Sequence, residues 1–383
     1  MSSRGFGAAC KRRLPAVLDY PLLMVIVLKS SRPLRIVHVA NFSLKPKGAG
    51  FFSVSFKMSN GLTRLGHNVI NFSDRDVARA SNIFGSRKFG VGASNKKLVE
   101  LVSRFRPDLL LLGHADVIQP DTLDEIRASR PGIKIVQWSV DALFEPDNVA
   151  RLKSKIARVD CTFVSTAGAR LDELGAPGHK VAYLPNPVDP SIECLRAFEH
   201  PRVALQTDLF FASGSGTVPR FHVGIETTAN KLATRIREAI PGLRTDFPGI
   251  LGAPHKFGAA FEDALATSAM ALNLSRRNDD HLYSSDRIAQ VMGCGLLTFV
   301  DRATGLEEFF SDEEIVFYSD EAALISAIDQ HFRDDDLRRR RAEAGWRKYF
   351  QLFDTTRVCD YVIDVVFDRV DPATFKWQPA PVR

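Results

Sequence analysis

Four short stretches carry residue types suited to phosphate, sugar hydroxyls or protons. The richest runs His281-Leu-Tyr-Ser-Ser-Asp-Arg287-Ile-Ala-Gln290-Val-Met-Gly-Cys-Gly295. Ser284, Ser285 and Asp286 stand where a helix would begin, and they supply caps and donors there. Arg287 adds a cation, and Gln290 follows one turn later. That layout offers donors to a phosphate and an amide to a ribose hydroxyl; a helix capped for purely structural reasons is the alternative. Upstream, Ala212-Ser-Gly214-Ser-Gly216-Thr-Val-Pro-Arg220 reads as a short glycine turn with Arg220 at a helix start. It suits a diphosphate, or it is a plain turn.

Two further stretches could handle a proton. Trp138-Ser-Val-Asp141-Ala-Leu-Phe-Glu145 follows an apolar run, and Asp141 is placed either to accept a hydroxyl proton or to cap a helix. Gly113-His114-Ala-Asp116 ends the preceding apolar run, so His114 or Asp116 can share that task. Asn41 and His38, near the end of the first apolar run, are weaker candidates, since a lone histidine is more often a satisfied structural residue. The loop Asn41-Phe-Ser-Leu-Lys-Pro-Lys-Gly-Ala-Gly50 is either a surface loop or a backbone cradle for an anion. No Gly-Lys-Ser/Thr follows it, which argues against a P-loop. Pro219 stands where a dinucleotide fingerprint wants glycine, which argues against a nicotinamide dehydrogenase. No His/Cys/Asp cluster has metal-ligand spacing, so no metal is expected.

The elements that hold these stretches alternate. Residues 35–40, 67–72, 108–112, 133–138, 160–165 and 181–184 read as strands; residues 51–65, 96–105, 122–129, 147–158 and 167–174 read as helices. Strands of continuous apolar character separated by helices predict a parallel sheet covered on both faces. Pro185-Asn-Pro-Val-Asp-Pro190 breaks the pattern with three prolines in six residues and marks an interdomain connection. The alternation restarts with strands at 208–212, 243–247, 270–274, 296–300 and 314–318, and with helices at 219–239, 257–268 and 285–292. The remainder is helical from Asp320, and Arg338-Arg-Arg-Arg341 reads as a solvated helix face ahead of a phosphate clamp. The fold class is α/β, two Rossmann-like doubly wound domains facing a cleft. The boundaries are a tail at 1–33, a first domain at 34–185, a linker at 186–206, a second domain at 207–350, and a returning helix and tail at 351–383. In such sheets ligands bind outside the carboxyl ends of the strands.

Composition narrows the class. At 383 residues the chain suits two domains, with 45% hydrophobic and 25% charged residues, as in globular proteins. The net charge of +6 resides before residue 36, where seven basic residues face one acid, leaving 44 of each sign in the rest. The pI therefore gives no evidence of a nucleic-acid-binding face. The five cysteines are scattered singly, which fits a reducing cytoplasm. The tail carries Tyr20-Pro-Leu-Leu-Met-Val-Ile-Val-Leu28 behind Lys11-Arg12-Arg13. It resembles a signal-peptide core without a cleavage site, and also reads as a basic, apolar membrane-surface contact, or as sequence ahead of a start at Met24.

Those same motifs carry a family resemblance. Arg287-Ile-Ala-Gln290-Val-Met-Gly293-Cys-Gly295 is similar to the Arg-x-x-Glu-x-x-Ala-x-Gly pattern of GT-B glycosyltransferases, the group with spore-maturation CgeB-like proteins above all. Leu296 to Val300, Glu307-Glu-Phe-Phe310 and Ile315-Val-Phe-Tyr318 follow in the family's order. Tyr183-Leu-Pro-Asn-Pro-Val-Asp189 resembles its linker, and Leu62-Thr-Arg-Leu-Gly-His67-Asn-Val its approach to the second strand. The resemblance implies transfer of a sugar from a nucleotide-diphosphate sugar to a saccharide or lipid-linked acceptor, without another cofactor. It suggests work at the inner leaflet in lipopolysaccharide or exopolysaccharide assembly. Gly214, Gly216, Arg220, Ser284, Ser285, Arg287 and Gln290 would hold the donor; Asn41 and Asp116 would meet the acceptor; Asp141 and His114 would be catalytic. Three positions depart from the pattern. Gln290 replaces the ribose-binding glutamate, Leu282 replaces the first acid of the retaining pair, and Ile225 stands where a lysine often follows the arginine. A sugar-nucleotide binder without catalysis and a sugar-nucleotide epimerase are the alternatives.

Overall fold

Apolar runs set the first sheet. The computed structural model describes residues 32–43, 48 and 50–378, so the amino-terminal tail to residue 31 and residues 44–47 and 49 of the first glycine loop lie outside the description. In chain order come β1 (Arg35–Ala40), α1 (Val54–Arg64), β2 (Asn68–Ser73), α2 (Asp74–Ala80), α3 (Val91–Phe105), β3 (Leu109–Gly113), α4 (Pro120–Ser129), β4 (Lys134–Ser139), α5 (Pro146–Lys153), β5 (Cys161–Val164), α6 (Ala169–Asp172) and β6 (Lys180–Tyr183). The strands form one parallel sheet in the order β2-β1-β3-β4-β5-β6. All five residues of β3 are buried, because helices cover both faces.

The second half continues with β7 (Thr207–Phe210), β8 (Pro219–His222), β9 (Ile225–Thr228), α7 (Ala229–Ala239), β10 (Thr245–Asp246), α8 (Ala259–Ala266), β11 (Ser268–Asn273), α9 (Arg287–Gly293), β12 (Leu297–Asp301) and β13 (Val316–Tyr318). It closes with α10 (Glu321–Arg333), α11 (Asp335–Phe353) and α12 (Thr355–Val366). A five-stranded parallel sheet runs β10-β7-β11-β12-β13, with β8 and β9 apart as an antiparallel pair.

That pair corrects the reading of residues 219–239 as one helix. Val223 and Gly224 both have positive φ, at 45° and 81°, the backbone a two-residue hairpin turn demands. The β-branched run Ile225-Glu-Thr-Thr228 then pairs back on β8. The helix begins only at Ala229, where the Thr228 hydroxyl accepts from the Lys231 amide at 3.2 Å. Arg220 thus sits on a strand, not at a helix start.

The arginine run of α11 is also corrected. Arg338 is fully buried, and its guanidinium meets the Ala197 and His200 carbonyls at 3.3 and 2.8 Å and Asp335 at 2.6 Å. Arg339 donates to the Phe198 carbonyl at 2.8 Å. Arg338 and Arg339 staple α11 to the segment ahead of β7, while Arg340 stays exposed and Arg341 pairs with Glu313, so only part of the run is a solvated face.

Between the sheets the chain doubles back. α12 lies against α1: Thr355 donates its hydroxyl proton to the Lys57 carbonyl at 2.7 Å. A Cβ on Gly61 would stand 2.6 Å from the Thr355 carbonyl oxygen, so only glycine permits this approach. Lys57 is fully buried, pairs with buried Glu193 at 2.5 Å and donates to the Pro187 carbonyl at 3.2 Å. Helix, proline-rich segment and carboxy-terminal helix are thereby locked together. No helix among the described residues is long and apolar enough to cross a membrane.

Candidate active site

The carboxyl ends of the two sheets meet across a cleft. β7 leads into the Ser213–Gly216 turn, β11 into the segment 274–286, and α9 follows. A pocket of about 220 Å³ opens here, lined by Ser213, Gly214, Lys256, Arg287 and Gln290, with Phe52 of the first lobe and Phe257 and Phe261 of the second as its apolar wall. Phe52 and Phe261 meet edge to face at 5.3 Å, so the wall spans both lobes.

Two arginines converge behind it. Arg220, only 4% exposed, donates to the Ser213 hydroxyl and reaches the Leu274 carbonyl at 3.4 Å. Arg287 donates to the same carbonyl at 3.2 Å. Neither forms an ion pair with a described residue, and the Arg220 Nε has no hydrogen-bond partner. Burial, with Arg287 and Arg276 adding like charge, draws the Arg220 guanidinium down to about 10. Burial likewise lowers Arg287, with Asp286 and Tyr283 opposing. Two adjacent cations, neither in an ion pair with a described carboxylate, form a site poised for an anion.

The other donor-side candidates divide. Gly214 has open space where a Cβ would go, which leaves its backbone approachable. Gly216 is packed against Asn230, whose Oδ1 would lie 2.0 Å from a Cβ, so its glycine serves the turn. The Gln290 amide lines the pocket. Ser284 is buried at 2% exposure: its hydroxyl accepts from Asn273 at 2.7 Å, and its carbonyl accepts from Asn186 at 2.9 Å. It ties the second lobe to the linker and is not among the residues that line the pocket. Ser285 receives the Arg287 amide at 3.3 Å, whereas Asp286 makes no cap bond. α9 has seven residues, a short dipole, so the cations carry most of the charge.

Sequence reasoning missed Lys256 and His255. They lie on the loop 247–258 after β10, with the Lys256 ammonium 2.6 Å from Asp246. Gly249, at φ 75°, lets this loop pass under Ser213, whose carbonyl would be 2.0 Å from a Cβ. The signal was Pro248-Gly249 beside Pro254-His255-Lys256, a glycine- and proline-rich loop at a strand end.

Across the cleft, β3 ends in strain. His114 has φ 66° and Ala115 has φ 29°, both in the left-handed region. Gly113 is required, because a Cβ would stand 2.2 Å from the Trp138 indole. This turn sets the His114 Nδ1 at 2.7 Å from the Asp141 carboxylate. Asp141 also takes Arg151 at 2.6 Å and the Ser139 hydroxyl at 3.3 Å. Burial works to raise the Asp141 carboxyl, but His114, Arg151 and Ser139 hold it below the usual carboxylate range. The carboxylate thus stays ionised and orients the imidazole. It is a poor proton acceptor.

Asp116 is claimed by Arg75 and Arg87, both at 2.8 Å, which overcome its burial and hold it low. Asn41 lies half-buried just past β1. His38, by contrast, is sealed: its Nε2 accepts from the Trp138 indole at 3.2 Å and its Nδ1 meets Ser59 at 2.8 Å. The two halves of the site come together at Tyr283, whose hydroxyl burial raises and which feels both Arg287 and Asp141. Glu145 pairs with Arg276 and Arg170 with Asp280, at 2.9 Å, from lobe to lobe. Among the described residues no His, Cys, Asp and Glu group could hold a metal ion.

Comparison with known proteins agrees with this geometry. Residues 226–364 match the profile of a family described as glycosyl transferase-like. No curated protein matches the sequence. Sucrose-phosphate synthase from Thermosynechococcus elongatus shares 10% identity and a TM-score of 0.58, over 88% of this chain and 98% of that one. A UDP-forming α,α-trehalose-phosphate synthase from Burkholderia xenovorans gives 10% and 0.57 over 88% and 99%. Anabaena HepE, solved with UDP-glucose, gives 12% and 0.53 over 88% and 100%. At such identities the shared property is the fold. A glycosyl transferase-like segment over residues 226–364 is thus built into a two-lobed GT-B fold shared with these glycosyltransferases.

Proposed function

We propose that the protein transfers a sugar from a nucleoside-diphosphate sugar to a hydroxyl of a saccharide or lipid-linked saccharide. The carrying observation is the buried Arg220 beside Arg287, two cations in no ion pair with a described carboxylate, at a pocket lined by Arg287, Gly214 and Gln290. The hard part of sugar transfer is the negative charge that grows on the diphosphate as the anomeric C–O bond breaks. Preorganised cations in a site shielded from water stabilise that charge. Arg287, Arg220 and the Gly214 backbone would take the diphosphate, and Gln290 a ribose hydroxyl. Lys256, on the same wall, would add a cation from the missed loop.

His114 is the better proton acceptor of the catalytic pair, with Asp141 as its positioning residue. The acceptor hydroxyl's oxygen bonds to the anomeric carbon, its proton passes to the imidazole, and the nucleoside diphosphate leaves with the electron pair of the broken bond. The UDP-glucose complex of HepE supports a nucleotide-sugar donor by likeness of fold. A lipid-linked acceptor in cell-surface polysaccharide assembly is the reading of the acceptor.

The test is a panel of nucleotide sugars, read by free nucleoside diphosphate and by thermal shift. Slow diphosphate release with one donor, and its loss by about 10²–10⁴-fold in His114→Ala with the thermal shift kept, is expected. A thermal shift without release would leave a binder, and interconverted sugar would make it an epimerase.

A further inference from the structure

Among the described residues, the three most exposed large apolar side chains of the first lobe lie on one short segment. Ile83, Phe84 and Phe89 are 94%, 73% and 68% exposed, and the two rings pair at 5.7 Å. They stand on the turn between α2 and α3, which is held firmly. The Asn82 amide donates to the Ala78 and Ser86 carbonyls at 2.9 and 2.7 Å, and its oxygen accepts from the Ser86 amide at 3.1 Å. Gly85 takes φ 59° to close the turn, and Gly90 presses on Ala78, whose carbonyl oxygen would be 1.7 Å from a Cβ. The apolar tip is a fixed projection.

The segment that carries it is basic in sequence, with Arg79 paired to Asp76 and Arg87 to Asp116. From Ala78 to Lys97 the chain carries Arg79, Arg87, Lys88, Lys96 and Lys97 and no acidic residue. Lys88, Lys96 and Lys97 are exposed and form no ion pair with a described residue. A protruding aromatic and aliphatic tip on a segment with three exposed lysines, one of them bonded to Ser81 at the start of the turn, matches an anionic lipid surface: rings enter the headgroup boundary, and cations meet the lipid phosphates. The same turn reaches the candidate acceptor side, because Arg87 bonds Asp116 at 2.8 Å, two residues beyond His114.

We propose that the 82–89 turn docks the first lobe on an anionic lipid surface, and so presents a membrane-embedded, lipid-linked acceptor to His114. The docking itself stands apart from catalysis; only its consequence for the acceptor rests on the proposed transferase reading. Vesicle binding therefore tests this inference, and the nucleotide-sugar panel tests that reading.

The full chain is sedimented with phosphatidylcholine vesicles, with and without phosphatidylglycerol. Binding to the anionic vesicles, weakened by salt, is expected. Ile83→Ser/Phe84→Ser/Phe89→Ser should lower the bound fraction by at least about tenfold with an unchanged thermal midpoint. Lys88→Gln/Lys96→Gln/Lys97→Gln should lower binding to the anionic vesicles alone, and Phe84→Trp should shift its emission to the blue on them. Wild-type binding retained by the triple serine variant would overturn the proposal, because another segment would then be the contact. Absent binding would overturn it too, as would wild-type self-association lost in that variant, which would make the patch a contact between copies.

Discussion

His38 lies within β1, where its Nε2 accepts the Trp138 indole proton and its Nδ1 therefore donates to Ser59, whose hydroxyl passes on to Asn71 at 2.7 Å. The ring is thus held neutral, and burial draws it down to about 3. Unfolding frees it to its ordinary value near 6.5, so the unfolded chain binds one more proton between those limits. Stability then falls as pH drops from about 6.5 to 3, by about 1.4 kcal/mol per unit for this residue. Urea midpoints measured across this range should fall with that slope, and His38→Gln should flatten it; an unchanged slope would contradict the assignment. His222, drawn down to about 4 by burial, adds the same sign over a narrower window. The sequence placed both His38 and His114 at strand ends but held no information on which would be sealed. That depended on Trp138, which closes over one histidine, and on the Gly113 turn beside it, which sets the other against Asp141. Arg287 and Gln290 were readable because they share one short helix. Lys256 was not, because its loop meets the pocket only through tertiary packing.

At the scale of elements, parallel strands were readable from unbroken apolar runs such as Leu109-Leu-Leu-Leu112. The β8–β9 hairpin was hidden: Pro219 looked like a helix start, and Val223-Gly224 is a weak turn signal beside Asn-Gly. Arg338 was misread because a charge run gives no hint that one member will enter the interior. Lys57 gave no hint either, yet it joins α1 to the proline-rich segment and, through its carbonyl, to α12. Burial keeps the Glu193 carboxyl above its usual range in spite of Lys57, so this pair costs much of what its attraction returns. Breaking it is another matter. Lys57→Met should destabilise the protein by about 3–5 kcal/mol, because a buried carboxylate loses its cation and keeps only the Asp189 amide. Lys57→Met with Glu193→Gln should cost less than the single change, as measured by denaturant unfolding. Equal costs would show that the pairing carries no coupling.

Over the whole molecule, two sheets with their carboxyl ends facing one another make one cleft, and interlobe ion pairs at Glu145–Arg276 and Arg170–Asp280, with the linker's Asn186 bonded to Ser284, hold them in register. The second lobe brings cations and the first an oriented imidazole, and the proposed transfer draws on both. The most direct measurement is calorimetric titration of nucleoside diphosphates and the matching nucleosides into the protein and into Arg287→Ala. Diphosphate affinity should fall by about 1.5–3 kcal/mol in the variant, the scale of a hydrogen bond to a charged group, while nucleoside binding is unchanged. Equal diphosphate affinity in the two proteins would contradict the account.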